Sequence, residues 1–155
     1  MPDQLSRFVE WMGDTSDCNS DSDTISVFAD FSKTCTARFA LLPEIVLVNR
    51  KPVNRGFFLM GKQNRIKINY VSPEKTAALV WAFKKGSGNI TTNKCGNIPL
   101  GVIPYQILAK FKANVMGMIN KTFFVPKASE NSAFFQVVDL NICEAGPVYQ
   151  ITLAN

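Results

Sequence analysis

Residues 56–71 read GFFLMGKQNRIKINYV, and this stretch decides the class of fold. In its second half, polar residues alternate with apolar ones, and a period of two is typical of a strand with one wet and one buried face. The wet face carries Arg65, Lys67 and Asn69. The polar residues 61–64 predict a four-residue turn, so residues 56–60 and 65–71 are expected to form a β-hairpin.

Further segments rich in β-branched and aromatic residues continue the strand pattern on both sides of this hairpin. They are residues 25–31, 34–42, 45–49, 121–125, 133–143 and 148–153. The segment 45–49 is a continuous apolar run, which predicts a strand buried on both faces. The strands do not alternate regularly with helices, so we expect them to be mainly antiparallel.

Two segments of the body carry helical signals. Ser72, Pro73 and Glu74 supply an N-cap, a first-turn proline and an acid, and Gly86 ends the apolar pattern that follows. Residues 105–114 place apolar side chains at helical spacing, with lysines on the other side. The predicted class is therefore α+β: mainly antiparallel strands that form a curled sheet or small barrel, with one or two helices.

The N-terminal residues differ from the rest of the chain. A short amphipathic helix is predicted after Asp3 and ends at Gly13, and an acidic stretch without periodicity follows it. At 155 residues the chain has the length of one ordinary domain. We expect residues 1–24 to be an N-terminal helix and acidic linker, and residues 25–155 to be a single basic β-rich domain.

Charge is distributed unevenly along the chain. The net charge is +5, but residues 1–30 carry a net charge of −6 and residues 31–155 a net charge of +11. Basic bodies of this kind are typical of polyanion binders, because Lys and Arg neutralise phosphates and release their counterions. The acidic residues 1–30 are expected to compete with such a ligand for the basic surface of residues 31–155.

Cations and aromatic rings are interleaved most densely in residues 49–70. A basic groove that follows the backbone, with rings that stack bases, is the combination that holds single-stranded nucleic acid. The sequence therefore predicts a protein that binds single-stranded DNA or RNA with little sequence specificity. The predicted binding residues are Arg50, Lys51, Arg55, Phe57, Phe58, Lys62, Arg65, Lys67 and Tyr70.

Catalytic and metal-binding residues are scarce. Histidine is absent, which excludes Ser-His-Asp and Cys-His catalysis and zinc sites that use histidine. No nucleophile–base pair can be named, so we expect neither an enzyme nor a cofactor.

The four cysteines lack a Cys-x-x-Cys pair, which favours free thiols over a metal site and predicts an intracellular location. No secretory leader and no apolar stretch of membrane-spanning length is found, so no membrane association is expected.

An alternative function is a structural or assembly subunit, for example a viral or complex component, that self-associates. Exposed sheet edges and an amphipathic helix on a tether are both suited to such contacts. The predicted interaction helix presents Leu5, Phe8, Trp11 and Met12.

Overall fold

The computed structural model describes residues 6–13, 18, 24 and 34–155. Among these described residues it is nearly all β, with 67% of them in strands and no α-helix. The predicted α+β class is therefore wrong. Nor does this part of the chain hold a helix with the length and apolar character to cross a membrane.

The strands are β1 (Ser6–Gly13), β2 (Cys35–Leu41), β3 (Glu44–Val48), β4 (Lys51–Pro52), β5 (Phe57–Leu59), β6 (Lys62–Asn69), β7 (Thr76–Ala82), β8 (Lys85–Thr92), β9 (Gly96–Val102), β10 (Gln106–Lys112), β11 (Ile119–Val125), β12 (Ser132–Asp139) and β13 (Glu144–Ala154).

The chain divides into two compact units, Met1–Leu41 and Leu42–Asn155. In the N-terminal unit, β1 and β2 form an antiparallel hairpin, and the predicted N-terminal helix is therefore wrong. The predicted strand 25–31 and most of the acidic linker lie outside the described residues, so the boundary after residue 24 stays a prediction.

The C-terminal unit contains three sheets, and its strands curl into a half-barrel. A four-stranded sheet has the order β11-β6-β3-β4, a five-stranded sheet has the order β10-β7-β12-β13-β5, and β8 and β9 form a hairpin. All of the pairings are antiparallel except that of β5 with β13. The C-terminal unit is therefore a mainly antiparallel, curled β structure without the helices that the predicted class included.

Two hydrophobic clusters hold these sheets together. The larger one joins the inner faces of the four-stranded and five-stranded sheets, with Ile66 and Ile119 opposite Phe135 and Ile151. The smaller one packs the β8–β9 hairpin against the other face of the five-stranded sheet. Strand β7 lies between both clusters, and its alternate residues enter one cluster or the other.

The predicted helix after Ser72 is wrong because its apolar residues form β7. A strand that is buried on both faces is apolar throughout and loses the alternation that identifies most strands. Its cap signals belong to a turn, in which the Lys75 amide donates to the Ser72 carbonyl at 3.1 Å. Pro73 occupies the second position of this turn, and Glu74 takes a positive φ of 58° at the third.

The helix predicted over residues 105–114 is wrong for another reason. Strand β10 pairs with β7, but the register shifts between Ile107 and Ala109. The extra residue of such a β-bulge changes the local apolar spacing from two residues to three, which imitates a helix. Strand β1 has a bulge of the same kind between Phe8 and Glu10.

Residues 56–71 form two strands, but they do not form the predicted hairpin. β5 belongs to the five-stranded sheet and β6 to the four-stranded sheet, and only two residues, Met60 and Gly61, connect them. The buried Asn64 side chain replaces the missing ladder bonds, because its Oδ1 accepts from the Leu59 amide at 2.7 Å and its Nδ2 donates to the Leu59 carbonyl at 2.8 Å. Its Nδ2 also donates to the Lys62 carbonyl at 3.0 Å.

Two disulfide bonds contradict the prediction of free thiols. Cys18 is bonded to Cys35 in the N-terminal unit. In the C-terminal unit, Cys95 beside β9 is bonded to Cys143 in the turn between β12 and β13. No free cysteine remains. The intracellular location stays a prediction, without the free thiols that supported it.

Candidate functional site

Three of the predicted cations converge on one cavity of the four-stranded sheet. The cavity has a volume of about 100 Å³ and lies on the outer face, away from the core. Strand pairing explains the convergence, because Leu47 on β3 and Asn120 on β11 both lie opposite Lys67 on β6, and opposed side chains share a face. The cavity is lined by Leu47, Arg50, Arg65, Lys67 and Asn120.

Arg50 reaches the cavity from the tight turn between β3 and β4. Asn49 and Arg50 have positive φ values of 48° and 68°, which a two-residue hairpin turn of type I′ requires. Asparagine accepts this conformation readily, whereas an arginine is unusual there and glycine is preferred. The turn is fixed by the Asn49 side chain, which donates to the Phe57 carbonyl at 2.8 Å and accepts from the Arg65 amide at 2.8 Å.

No carboxylate of the described residues balances the positive charge of this cavity. In the part of the chain that the structure describes, Arg50, Arg65 and Lys67 form no ion pair with a carboxylate. The Arg65 guanidinium is held by a neutral group, since its Nε donates to Asn120 Oδ1 at 2.8 Å. A site of this kind can accept an anion without first breaking an internal salt bridge.

The other predicted cations lie around this cavity or apart from it. The Lys51 ammonium lies 5.0 Å from the centre of the Phe57 ring, within the range of a cation–π interaction. Arg55 and Phe57 line a second, shallower depression of about 330 Å³, together with Thr152 and Ala154 of β13. Lys62 is exposed where β6 begins.

Of the predicted aromatic residues, Phe58 is not available to a ligand. It is fully buried and packs against Phe123 and Phe135, with ring centres 5.2 and 4.9 Å away. Phe57 is half-buried, and Tyr70 is 43% exposed directly after β6.

An exposed ring that the sequence did not single out lies on the same face as the cations. Phe124 is 50% exposed, while its neighbours Phe123 and Val125 point into the core. It lies opposite Gln63 and is therefore a diagonal neighbour of Arg65, at the roughly 7–8 Å that such neighbours have. We define the cationic face as Arg50, Arg65, Lys67, Asn120 and Phe124.

Leu47, Asn120 and Phe124 were missed because a single sequence does not reveal which strands are neighbours. Alternation within residues 121–125 shows that Phe123 and Phe124 point in opposite directions, but not which of them is buried. The pairing of β11 with β6 answers that question and is visible only in the structure.

The predicted interaction residues of the N-terminal unit lie on a strand. Phe8 and Trp11 are half-buried, and their ring centres are 5.8 Å apart. Met12 is 49% exposed. Leu5 lies outside the described residues.

Outside the cavity, we considered the Tyr149 hydroxyl and the side chains that could hold a metal ion. Burial, and then the charge of Glu44, raise the pKa of the Tyr149 hydroxyl above its usual value of 10.0, so this group is neutral at physiological pH. Among the residues that the structure describes, no group of three acidic or cysteine side chains could hold a metal ion.

Comparisons of the chain with protein-family models, with curated proteins and with solved structures returned no match. The proposals below are therefore drawn from the sequence and the geometry alone.

Proposed function

We propose that the protein binds single-stranded DNA or RNA with little sequence specificity, through the cationic face. The observation that carries this proposal is the convergence of Arg50, Arg65 and Lys67 on one cavity, without a carboxylate partner in residues 6–13 or 34–155. Holding like charges close together is unfavourable unless an anion joins them, so an arrangement of this kind favours phosphate binding.

The charge of the whole C-terminal unit supports the same function. Residues 42–155 contain fourteen Lys and Arg residues and five acidic residues, a net charge of +9. A field of this sign raises the local concentration of a polyanion and accelerates its association at low salt.

Aromatic and apolar groups favour nucleic acid over other polyanions. Phe124 offers an exposed ring beside the cations, and the walls of the cavity are mostly hydrocarbon. Nucleic acid bases have flat faces that stack on such groups, each contributing about 1–3 kcal/mol. Sulfated sugars have no flat aromatic ring that could stack in this way.

The test is a binding titration of the oxidised, full-length protein with labelled single strands of about 15 nucleotides, a length suited to one small β domain. With three phosphate contacts, log K should fall with log salt with a slope of about −2, since each contact on a single strand contributes about −0.7. Single strands should displace bound probe better than duplex of the same sequence.

Two results of this titration would contradict the proposed function. Absence of binding at low salt contradicts the proposal. If heparin competes as well as single strands at equal charge, the surface binds sulfated polysaccharide rather than nucleic acid, which also contradicts it.

A second candidate function is self-assembly, and a separate surface favours it. Val115 and Met116 are 72% and 73% exposed at the connection between β10 and β11. Asn114 fixes this connection, because its Oδ1 accepts from the Met116 and Met118 amides at 3.0 and 2.9 Å. Apolar side chains held outward in this way are typical of contact surfaces.

Light scattering tests this candidate. We expect a defined oligomer for the natural chain and a monomer for the variant Val115→Ser/Met116→Ser. A monomeric natural chain, or an oligomer that the double substitution leaves intact, would contradict an assembly role for this surface.

A further inference from the structure

We infer that the cavity of the cationic face holds one pyrimidine base, so that pyrimidine-rich single strands bind more tightly than purine-rich ones. This inference rests on the proposed function and adds a ligand class to it. It starts from the composition of the cavity, whose walls are mostly apolar although three of its five lining residues are cations. The apolar surface is supplied by Leu47 and by the hydrocarbon stems of the long side chains, whose charged ends are free to contact the flanking phosphates.

The size of the cavity favours the single ring of a pyrimidine base over the fused rings of a purine base. Its volume is about 100 Å³. An enclosed apolar cavity of about 150 Å³ admits benzene. Because the present cavity is open on one side, a single six-membered ring can enter and leave its sugar outside. The second ring of a purine finds no room in this volume and has to stay outside the cavity.

Polar groups at the cavity suit a pyrimidine. Asn120 uses its Oδ1 to accept from Arg65 Nε, which leaves its Nδ2 amino group to donate. Thymine, uracil and cytosine all carry a ring carbonyl oxygen that accepts such a bond. The same hydrogen bond fixes the Arg65 guanidinium, and bases stack on a guanidinium plane as they do on aromatic rings.

The experiment compares oligo-dT with oligo-dA of equal length, and hence equal charge, at one salt concentration. For the natural chain we expect oligo-dT to bind about tenfold more tightly, within the range that one stacked base supplies. Leu47 is half-buried and belongs to neither core cluster, so it can be replaced without disturbing the core. The variant Leu47→Phe fills the cavity and should remove most of the oligo-dT preference without changing the salt slope.

The matched variant Leu47→Ala enlarges the cavity instead. It should reduce the preference by a different route, because oligo-dA binding rises while oligo-dT binding changes little. Unfolding midpoints of both variants are measured alongside, to show that the fold is retained.

The outcomes separate the inference from the proposed function. Oligo-dA stacks on itself and therefore binds more weakly even without a pocket, so the change caused by Leu47→Phe decides the question. If the dT:dA ratio is unchanged in that variant, or if oligo-dA binds the natural chain as tightly as oligo-dT, the pyrimidine pocket is overturned while the proposed function stands. If neither oligomer binds, the proposed function has failed.

Discussion

Replacing Cys95 and Cys143 by serine is expected to lower the free energy of unfolding of the C-terminal unit by about 4 kcal/mol. This bond joins residues 48 apart in sequence. In the chain-entropy model, cross-linking a loop of that length removes about 4 kcal/mol of conformational freedom from the unfolded chain. For a chain of 155 residues, the unfolding midpoint should fall by about 10–15 °C, since each kcal/mol shifts it by about 2–4 °C.

The loss should be concentrated in the β8–β9 hairpin. Two strands alone are marginally stable in water, and this hairpin is attached to the five-stranded sheet by the smaller cluster and by the disulfide bond. Hydrogen exchange should therefore accelerate in residues 85–102 before it does in β6. The variant Cys18→Ser/Cys35→Ser, which alters the N-terminal unit, should leave exchange in residues 85–102 unchanged. Four titratable thiols in the purified natural chain would contradict the prediction, because they would show that neither disulfide bond is present.

Neutralising two of the three cations that line the cavity is expected to weaken nucleic acid binding about 100-fold. The variant Arg65→Gln/Lys67→Gln removes two charge-assisted hydrogen bonds to phosphate, each contributing about 1.5 kcal/mol. The slope of log K against log salt should become shallower by about 1.4, because each lost contact with a single strand removes about 0.7. Fluorescence anisotropy over a salt series measures both quantities.

Two further variants distinguish a local site from net charge. Lys84→Gln/Lys110→Gln removes the same charge from exposed positions outside the cationic face, and it should weaken binding less than tenfold. Arg50→Gly removes one cation and relieves the left-handed conformation, so it should weaken binding while raising the free energy of unfolding by about 0.5–1 kcal/mol. Equal losses from the two double variants would show that net charge alone governs binding.

Alternation and β-rich composition in the sequence predicted many of the strands, although β8 and β9 were not predicted. Residues 34–42, 45–49, 121–125, 133–143 and 148–153 overlap strands of the structure, and in residues 65–68 the burial follows the predicted faces. Helices were predicted wrongly where alternation fails for a physical reason. Strand β7 is apolar on both faces, and β1 and β10 carry bulges that shift their spacing.

The candidate site could be predicted only in part. Local charge identified Arg50, Arg65 and Lys67, because they are close in sequence as well as in space. Asn120 comes from a strand more than fifty residues away, and its position depends on strand order, which one sequence does not specify. The prediction of free thiols was wrong for the same reason. Cys95 and Cys143 come together through the turns of two separate hairpins, which one sequence does not show to be neighbours.

The position of β13 within its sheet constrains the order of events during synthesis. Of the described strands it is the last to be made, yet it lies inside the five-stranded sheet, between β12 and β5. Its residues Ile151 and Leu153 complete the larger cluster, and its parallel partner β5 was translated about ninety residues earlier. A nascent chain that lacks residues 144–154 therefore exposes open edges at β12 and β5 and an incomplete core, and such surfaces are prone to aggregate. The C-terminal unit therefore folds only after β13 has been made, and a chaperone that shields β12 and β5 until then would raise its yield.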